Sequence, residues 1–168
     1  MLVRCARPHE LPAAGDLRVT TYVGQGLVDP DSPYIPTLRS LGEDGEGQVL
    51  VAVDEDDILG TATLMGYRPD SEVARTPDEV ELRALAVSPR AQGHGIGRLL
   101  LEAVLRRAEA AAARAIVLST QSNMVTAQRM YQKAGFVRAP ERDWTPGRGI
   151  QLLAYRLPLS SSFSNRAR

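Results

Sequence analysis

The strongest helical period runs from Ile96 to Ala113. Ile96, Leu99, Leu100, Ala103, Val104, Arg107 and Ala108 recur at i, i+3, i+4, i+7, i+8, i+11 and i+12, the spacing of one helix face. Met124 to Ala134 is a second predicted helix, with Ser122 or Asn123 available to cap its start and Gly135 to supply a left-handed residue after its end. Short apolar, β-branched runs read as strands: Val49 to Val53, Ile58 to Met65, Val80 to Val87, Ile116 to Leu118, Phe136–Val137 and Ile150 to Leu157. The first two flank the charged turn Asp54 to Asp57 and form a hairpin, and Pro89 stops the third. Residues 1–7, with Leu2, Val3 and Cys5, suit a first strand. A helix follows near Pro8 and Pro12 with Leu17, Val19, Tyr22 and Val23 as its buried candidates, and a short helix spans Tyr34 to Leu41. Gly66 to Asp78 reads as a loop and Pro146, Gly147 and Gly149 as a turn. The order β, α, α, β, β, β, α, β, α, β, β predicts an α/β chain: a mixed sheet of six to seven strands with helices on both faces. One domain is expected over 1–158, with a polar, Ser-rich, disordered tail over 159–168.

Composition narrows the function classes. Of the 168 residues 43% are hydrophobic, which suits one globular core. Lys plus Arg equals Asp plus Glu at 20 each, so no overall charge draws the chain to nucleic acid or an anionic membrane. The short tail Asn165-Arg166-Ala167-Arg168 does not change that. No apolar run suits a membrane span or a secretory signal, and a cytoplasmic location is the default expectation. Cys5 is the single cysteine and His9 and His94 lie far apart, so neither an intrachain disulfide nor a metal site is expected.

The informative segment is Val80 to Ala108. A predicted strand runs into Gly93, Gly95 and Gly97, and a helix opens from them. Backbone N–H groups gathered at a helix start, with no side chains in the way, suit an anion such as a phosphate, and Arg90 and Arg98 flank the loop. A Walker A loop would need Lys and then Ser or Thr after its last glycine, but Arg98 and Leu99 follow Gly97. A dinucleotide fingerprint would place its third glycine at position 98, which is Arg98. A glycine-rich turn that merely starts a helix remains the plain alternative.

This segment resembles the pyrophosphate loop of the GNAT acetyltransferase superfamily, in which Arg or Gln is followed by two residues, Gly, one residue, then Gly or Ala. Both Arg90–Gly93–Gly95 and Gln92–Gly95–Gly97 fit. The later run Asn123, Ala127, Tyr131, Gly135, Phe136 resembles the same family's last helix, and its four-residue steps place Asn123, Ala127 and Tyr131 on one face. The resemblance implies a sheet splayed at strands 4 and 5 and acetyl-CoA as the donor. It implies that the main chain of Leu85, Ala86 and Val87 holds the pantetheine arm like an added strand. Arg90, Gln92, Gly93, His94, Gly95, Ile96, Gly97 and Arg98 would hold the pyrophosphate, with Asn123, Ala127 and Tyr131 completing the cofactor site. Tyr131 would face the thioester sulfur as general acid or hydrogen-bond donor. Glu81 would be the base, with a plain salt bridge, for instance to Arg83, as its structural alternative. By the two-residue alternation of a strand, Glu81, Leu85 and Val87 would share a face.

The acceptor is expected among the first two helices, the loop 66–78 and the loop 140–149. Trp144 and Tyr34 would either line it, for an alkyl or aromatic amine, or be structural plugs, and Asp31, Glu141 and Asp143 would either greet a cation or be solvated loop charges. The implied activity is acetyl transfer to a primary amine of a small molecule or a protein, by direct attack in a ternary complex. The alternative is a non-catalytic acyl-CoA-binding module. No nucleic-acid or membrane partner is expected, and the chain would be a monomer or homodimer.

Overall fold

The computed structural model describes residues 1–147 and 149–160, so the tail expected to be disordered lies, beyond residue 160, outside the described residues. Eight strands and four helices form in the order β1 (Leu2–Cys5), α1 (Leu11–Gly24), α2 (Ile35–Ser40), β2 (Gly47–Asp54), β3 (Asp57–Gly66), β4 (Glu79–Val87), α3 (Ile96–Ala110), β5 (Ala115–Gln121), α4 (Val125–Lys133), β6 (Val137–Arg138), β7 (Trp144–Gly147) and β8 (Ile150–Pro158) among the described residues. The strands hydrogen-bond in the order β1-β2-β3-β4-β5-β8-β6, with β7 on β8. Pairing is antiparallel between β1 and β2, β2 and β3, and β5 and β8, and parallel between β4 and β5.

Two compact units share this order: Met1–Met65 with Leu82–Val104, and Gly66–Glu81 with the chain from Leu105 on. In the first, β2 shows why helices cover both faces. Val49, Val51 and Val53 point one way and pack with Ala14 of α1. Ala52 points the other way, opposite Gly60 of β3. A side chain at Gly60 would meet Ile96 and Leu100 of α3 at 3.0 Å each, so the glycine lets that helix lie close on the second face.

In the second unit β5 and β8 are the frame. Val117 and Ala154 share one face with Val73, Ala74 and Ala139 in a buried cluster. Leu118 pairs with Tyr155, and both turn to the other face, where the Tyr131 ring of α4 lies 6.5 Å from the Tyr155 ring.

Three expectations need correction. Helix α4 starts at Val125, so Asn123 precedes it, and neither Asn123 nor Ser122 caps it. Met124 holds the cap position without a side-chain bond, while Gln128 Nε2 reaches back to the carbonyls of Gln121 and Ser122. The expected turn around Pro146 and Gly147 is the short strand β7, where an edge position tolerates proline. On α1 only Val19 of the four expected residues is fully buried. Ala14, Gly15, Arg18 and Thr21 are buried with it, because α1 presents small residues and one cation to its neighbours.

Candidate active site

The parallel ladder between β4 and β5 has three rungs, Glu79↔Ala115, Val80↔Ile116 and Glu81↔Val117, and ends there, although β4 continues to Val87 and β5 to Gln121. Within β4, Ala84 has φ 55°. That left-handed conformation costs a non-glycine residue roughly 1–2 kcal/mol and interrupts the pleat. The expected shared face of Glu81, Leu85 and Val87 therefore does not follow, since the alternation does not carry across Ala84. Beyond it Leu85 and Val87 are half-buried and Ala86 is buried. The Leu85 carbonyl accepts the Tyr22 hydroxyl at 3.3 Å, and the Val87 carbonyl accepts Gln92 Nε2 at 3.2 Å.

The glycine loop follows a short 3-10 turn at Pro89–Ala91. Gly93 and Gly95 have φ of 80° and 79°, and a Cβ at either would meet nothing within 4 Å. These glycines are needed for backbone conformation, and the space in front of them is open. Leu99 N bonds the Gly95 carbonyl at 3.1 Å, so Gly95 opens α3. The N–H groups of Ile96, Gly97 and Arg98 then lie in the first turn, where no intrahelical acceptor exists. An anion fits that donor set and that room. The flanking side chains are engaged elsewhere: Arg90 pairs with Asp57 at 3.0 Å, Arg98 with Glu102 at 3.0 Å, and His94 Nδ1 lies 3.3 Å from the Ala91 carbonyl.

Tyr131 is 6% exposed, and its place follows from the end of α4. Gly135, at φ 100°, turns the chain so that Phe136 N bonds the Tyr131 carbonyl and Gly135 N bonds that of Gln132, both at 3.0 Å. This is a Schellman closure, and its usual apolar contact is made by the Tyr131 and Phe136 rings, 5.7 Å apart. Burial pushes the Tyr131 phenol pKa above its ordinary value. Ala127 is half-buried and Asn123 exposed.

Glu81 is 2% exposed, so it is no surface carboxylate. Its Oε2 accepts the backbone N–H groups of Val73 at 3.1 Å and Ala74 at 3.0 Å, tying β4 to the loop 66–78. Its rung with Val117 puts it on the Val117–Ala154 face of the β5–β8 pair, whereas Tyr131 lies on the Leu118–Tyr155 face.

Glu79, two residues earlier on the Glu81 face, was missed in the sequence, as a strand residue at a loop end carries no motif. It is 3% exposed and accepts Arg142 at 2.8 and 2.9 Å, Arg156 Nε at 3.3 Å and the Arg75 N–H at 2.8 Å. Burial works to raise its pKa, but the hydrogen bonds from Arg142, the Arg75 N–H and Arg156 outweigh it and hold the value at about 2.

The loops expected around the acceptor meet at a polar cleft of about 320 Å³ lined by Tyr67, Pro69, Ser71, Glu72, Val73, Ala74, Arg75 and Arg142. Trp144 is half-buried with its Nε1 buried and unbonded. Asp143 is held by Arg138 at 2.8 and 2.6 Å and by Ala154 N at 2.7 Å, so it belongs to the framework. Glu141 and Asp31 are exposed, and the Tyr34 hydroxyl accepts Arg83 Nη2 at 2.9 Å. No group of three or more His, Cys, Asp or Glu among the described residues is placed to hold a metal ion, and no helix there is long and apolar enough to cross a membrane.

The family model for the acetyltransferase (GNAT) family matches residues 15–136, well over half the chain. The chain belongs to the GNAT acetyltransferase family. Among curated proteins it is 36% identical over 105 residues to the N-alpha-acetyltransferase RimI of Mycobacterium tuberculosis (strain ATCC 25618 / H37Rv), a match covering 62% of this chain and 59% of that protein. The match thus spans about three fifths of that relative. Among solved structures, an acetyltransferase of the GNAT family from Staphylococcus aureus Mu50 superposes with a TM-score of 0.75 at 17% identity, covering 95% of this chain and 99% of the other. The yncA protein from Salmonella typhimurium with its cofactor acetyl-CoA gives 0.73 at 20% identity, covering 100% and 99%. These superpositions establish that this GNAT chain has the fold expected from its element order.

Proposed function

We propose that this GNAT chain transfers an acetyl group from acetyl-CoA to a primary amine, of a small molecule or of a protein, by direct attack in a ternary complex. The observation that carries this reading is the early end of the β4–β5 ladder at Glu81, which leaves β4 from Leu82 to Val87 running on without rungs to β5, into a glycine loop and a helix start. The main chain of Leu85, Ala86 and Val87 would hold the pantetheine arm as an added strand. The N–H groups from Gly93 to Arg98 would hold the pyrophosphate. The thioester supplies the activated acyl group.

Tyr131 donates a hydrogen bond to the sulfur as it leaves. A thiol ionises near ~8.5, and burial keeps the phenol protonated well above that, so Tyr131 would stabilise the leaving thiolate without surrendering its proton, and the proton lost by the amine would pass to solvent. We assign Glu81 to holding the loop 66–78, on the strength of its two backbone partners and its place on the face away from Tyr131. The likeness to a RimI N-alpha-acetyltransferase makes a peptide α-amine the first acceptor to try.

The test is thermal unfolding with and without acetyl-CoA, then release of free thiol in the presence of short peptides with a free α-amine and a panel of small amines. Ligand at ~100 times its dissociation constant adds ~2.7 kcal/mol, a rise of roughly 5–10 °C for a chain of this size. Gly95→Val, a β-branched residue forced to positive φ, should fold but lose that rise. No rise with the wild-type chain overturns the reading.

A further inference from the structure

The two edges of β4 carry different hydrogen bonds near its end. Ser88 N bonds the Leu59 carbonyl of β3 at 2.8 Å, and a Cβ at Gly60 of β3 would lie 3.1 Å from the Ala86 carbonyl oxygen. The main chain of Ala86 and Ser88 therefore faces β3. Successive residues of a strand turn their main-chain polar groups to opposite edges, so Leu85 and Val87 face the edge away from β3. Left-handed Ala84 precedes Leu85, which leaves the alternation from Leu85 onward intact.

Both carbonyls on that second edge are taken by side chains. The Leu85 carbonyl accepts the Tyr22 hydroxyl of α1 at 3.3 Å, and the Val87 carbonyl accepts Gln92 Nε2 of the glycine loop at 3.2 Å. The ladder to β5 supplies no donor here, because its last rung is Glu81↔Val117. Leu85 and Val87 are half-buried, so a carbonyl left bare at either would be unfavourable. A strand added along this edge would bring its own N–H groups to the same two oxygens. Tyr22 sits in the last turn of α1 and Gln92 is exposed, so each can swing away by side-chain rotation alone.

We propose that Tyr22 and Gln92 are stand-ins for the amide N–H groups of the pantetheine arm: they hold the free edge of β4 in the unliganded chain and leave it when the arm docks. This rests on the acetyl-transfer reading above. Docking must break both bonds, so the two side chains lower the affinity for CoA and its thioesters. They act on the arm alone, since neither bond involves the N–H groups of Ile96, Gly97 or Arg98. Removing a hydroxyl weakens a site that the hydroxyl helps to build; here it should tighten one.

The experiment is calorimetric titration of the wild-type chain, Tyr22→Phe, Gln92→Met and the double variant with CoA. ADP serves as the ligand that has a pyrophosphate but no arm. Tyr22→Phe should bind CoA about two- to tenfold more tightly, the range for one hydrogen bond that docking no longer breaks. Gln92→Met should tighten binding in the same way, and the double variant more than either, because the two bonds end on different carbonyls. ADP affinity should stay within about twofold in Tyr22→Phe. In tyrosine-labelled wild-type protein, the Tyr22 Cζ resonance should move on adding CoA and stay in place on adding ADP. Weaker or unchanged CoA binding in either single variant overturns the proposal, as does ADP binding that tightens in step with CoA. A wild-type chain that binds no CoA overturns the acetyl-transfer reading. The double variant then decides the proposal by itself, supporting it by binding CoA and overturning it by failing to.

Discussion

Two side chains singled out for chemistry, Tyr131 and Glu81, illustrate what a residue's neighbours add to its identity. Tyr131 was legible because the Tyr-to-Gly-Phe spacing is local: the left-handed Gly135 closes α4 and brings Phe136 onto the tyrosine ring. Glu81 was legible as a residue but not as a contact, since its partners Val73 and Ala74 reach it through a loop whose course no periodicity encodes. Arg18, 1% exposed, was invisible, because a search for apolar positions passes over a buried cation. Its Nη1 donates to the carbonyls of Leu38, Arg39 and Leu41 and its Nη2 to Thr63 Oγ1, while Nε has no partner among the described residues. The contrast gives a test. Glu81→Gln keeps an oxygen that can accept both backbone N–H groups, so kcat should stay within about threefold. Tyr131→Phe should lower kcat by roughly a hundredfold with acetyl-CoA affinity little changed. A comparable loss in Glu81→Gln, with loop protection against hydrogen exchange intact, would return that carboxylate to the chemistry.

At the scale of elements, helix α3 matched its predicted stripe but stops sooner than expected. Ala112 takes φ 56°, Ala112 N bonds the Glu109 carbonyl at 2.9 Å and Ala113 N that of Ala108 at 3.1 Å. This is the closure that Gly135 makes for α4, made here by a residue that resists it. The sequence Ala-Ala-Ala offers no stop signal, which is why the predicted helix ran on to Ala113. Ala112→Gly should therefore stabilise the chain by about 0.5–1 kcal/mol, read as a rise of roughly 1–4 °C in Tm. An unchanged or lower Tm would mean that the left-handed turn carries no cost there. Leu101, off the predicted stripe yet 2% exposed, shows α3 buried over a wider arc than its period alone indicated.

At the scale of the whole molecule, Glu79 ties the start of β4 to Arg142, Arg156 and the loop backbone in the second unit. Its folded pKa of about 2 lies below the unfolded value near ~4.3. Between those values the unfolded chain binds more protons, so the stability Glu79 contributes is present above the unfolded pKa and disappears as pH falls through about 2. Urea unfolding across that window should show the decline. Glu79→Gln should remove that part of the slope and, by leaving half-buried Arg142 with only Glu141 at 3.9 Å as a carboxylate partner among the described residues, cost about 1–3 kcal/mol near neutral pH. An unaltered slope in the variant would assign acid sensitivity to other carboxylates. The amino-acid sequence by itself determined the order of elements apart from β7, the glycine loop and the helix that carries Tyr131, because each depends on residues within a turn or two of one another. Tertiary structure alone decided where the β4–β5 ladder ends, which face Glu81 occupies and what Arg18 holds, because those depend on register and on loop backbone brought in from distant parts of the chain.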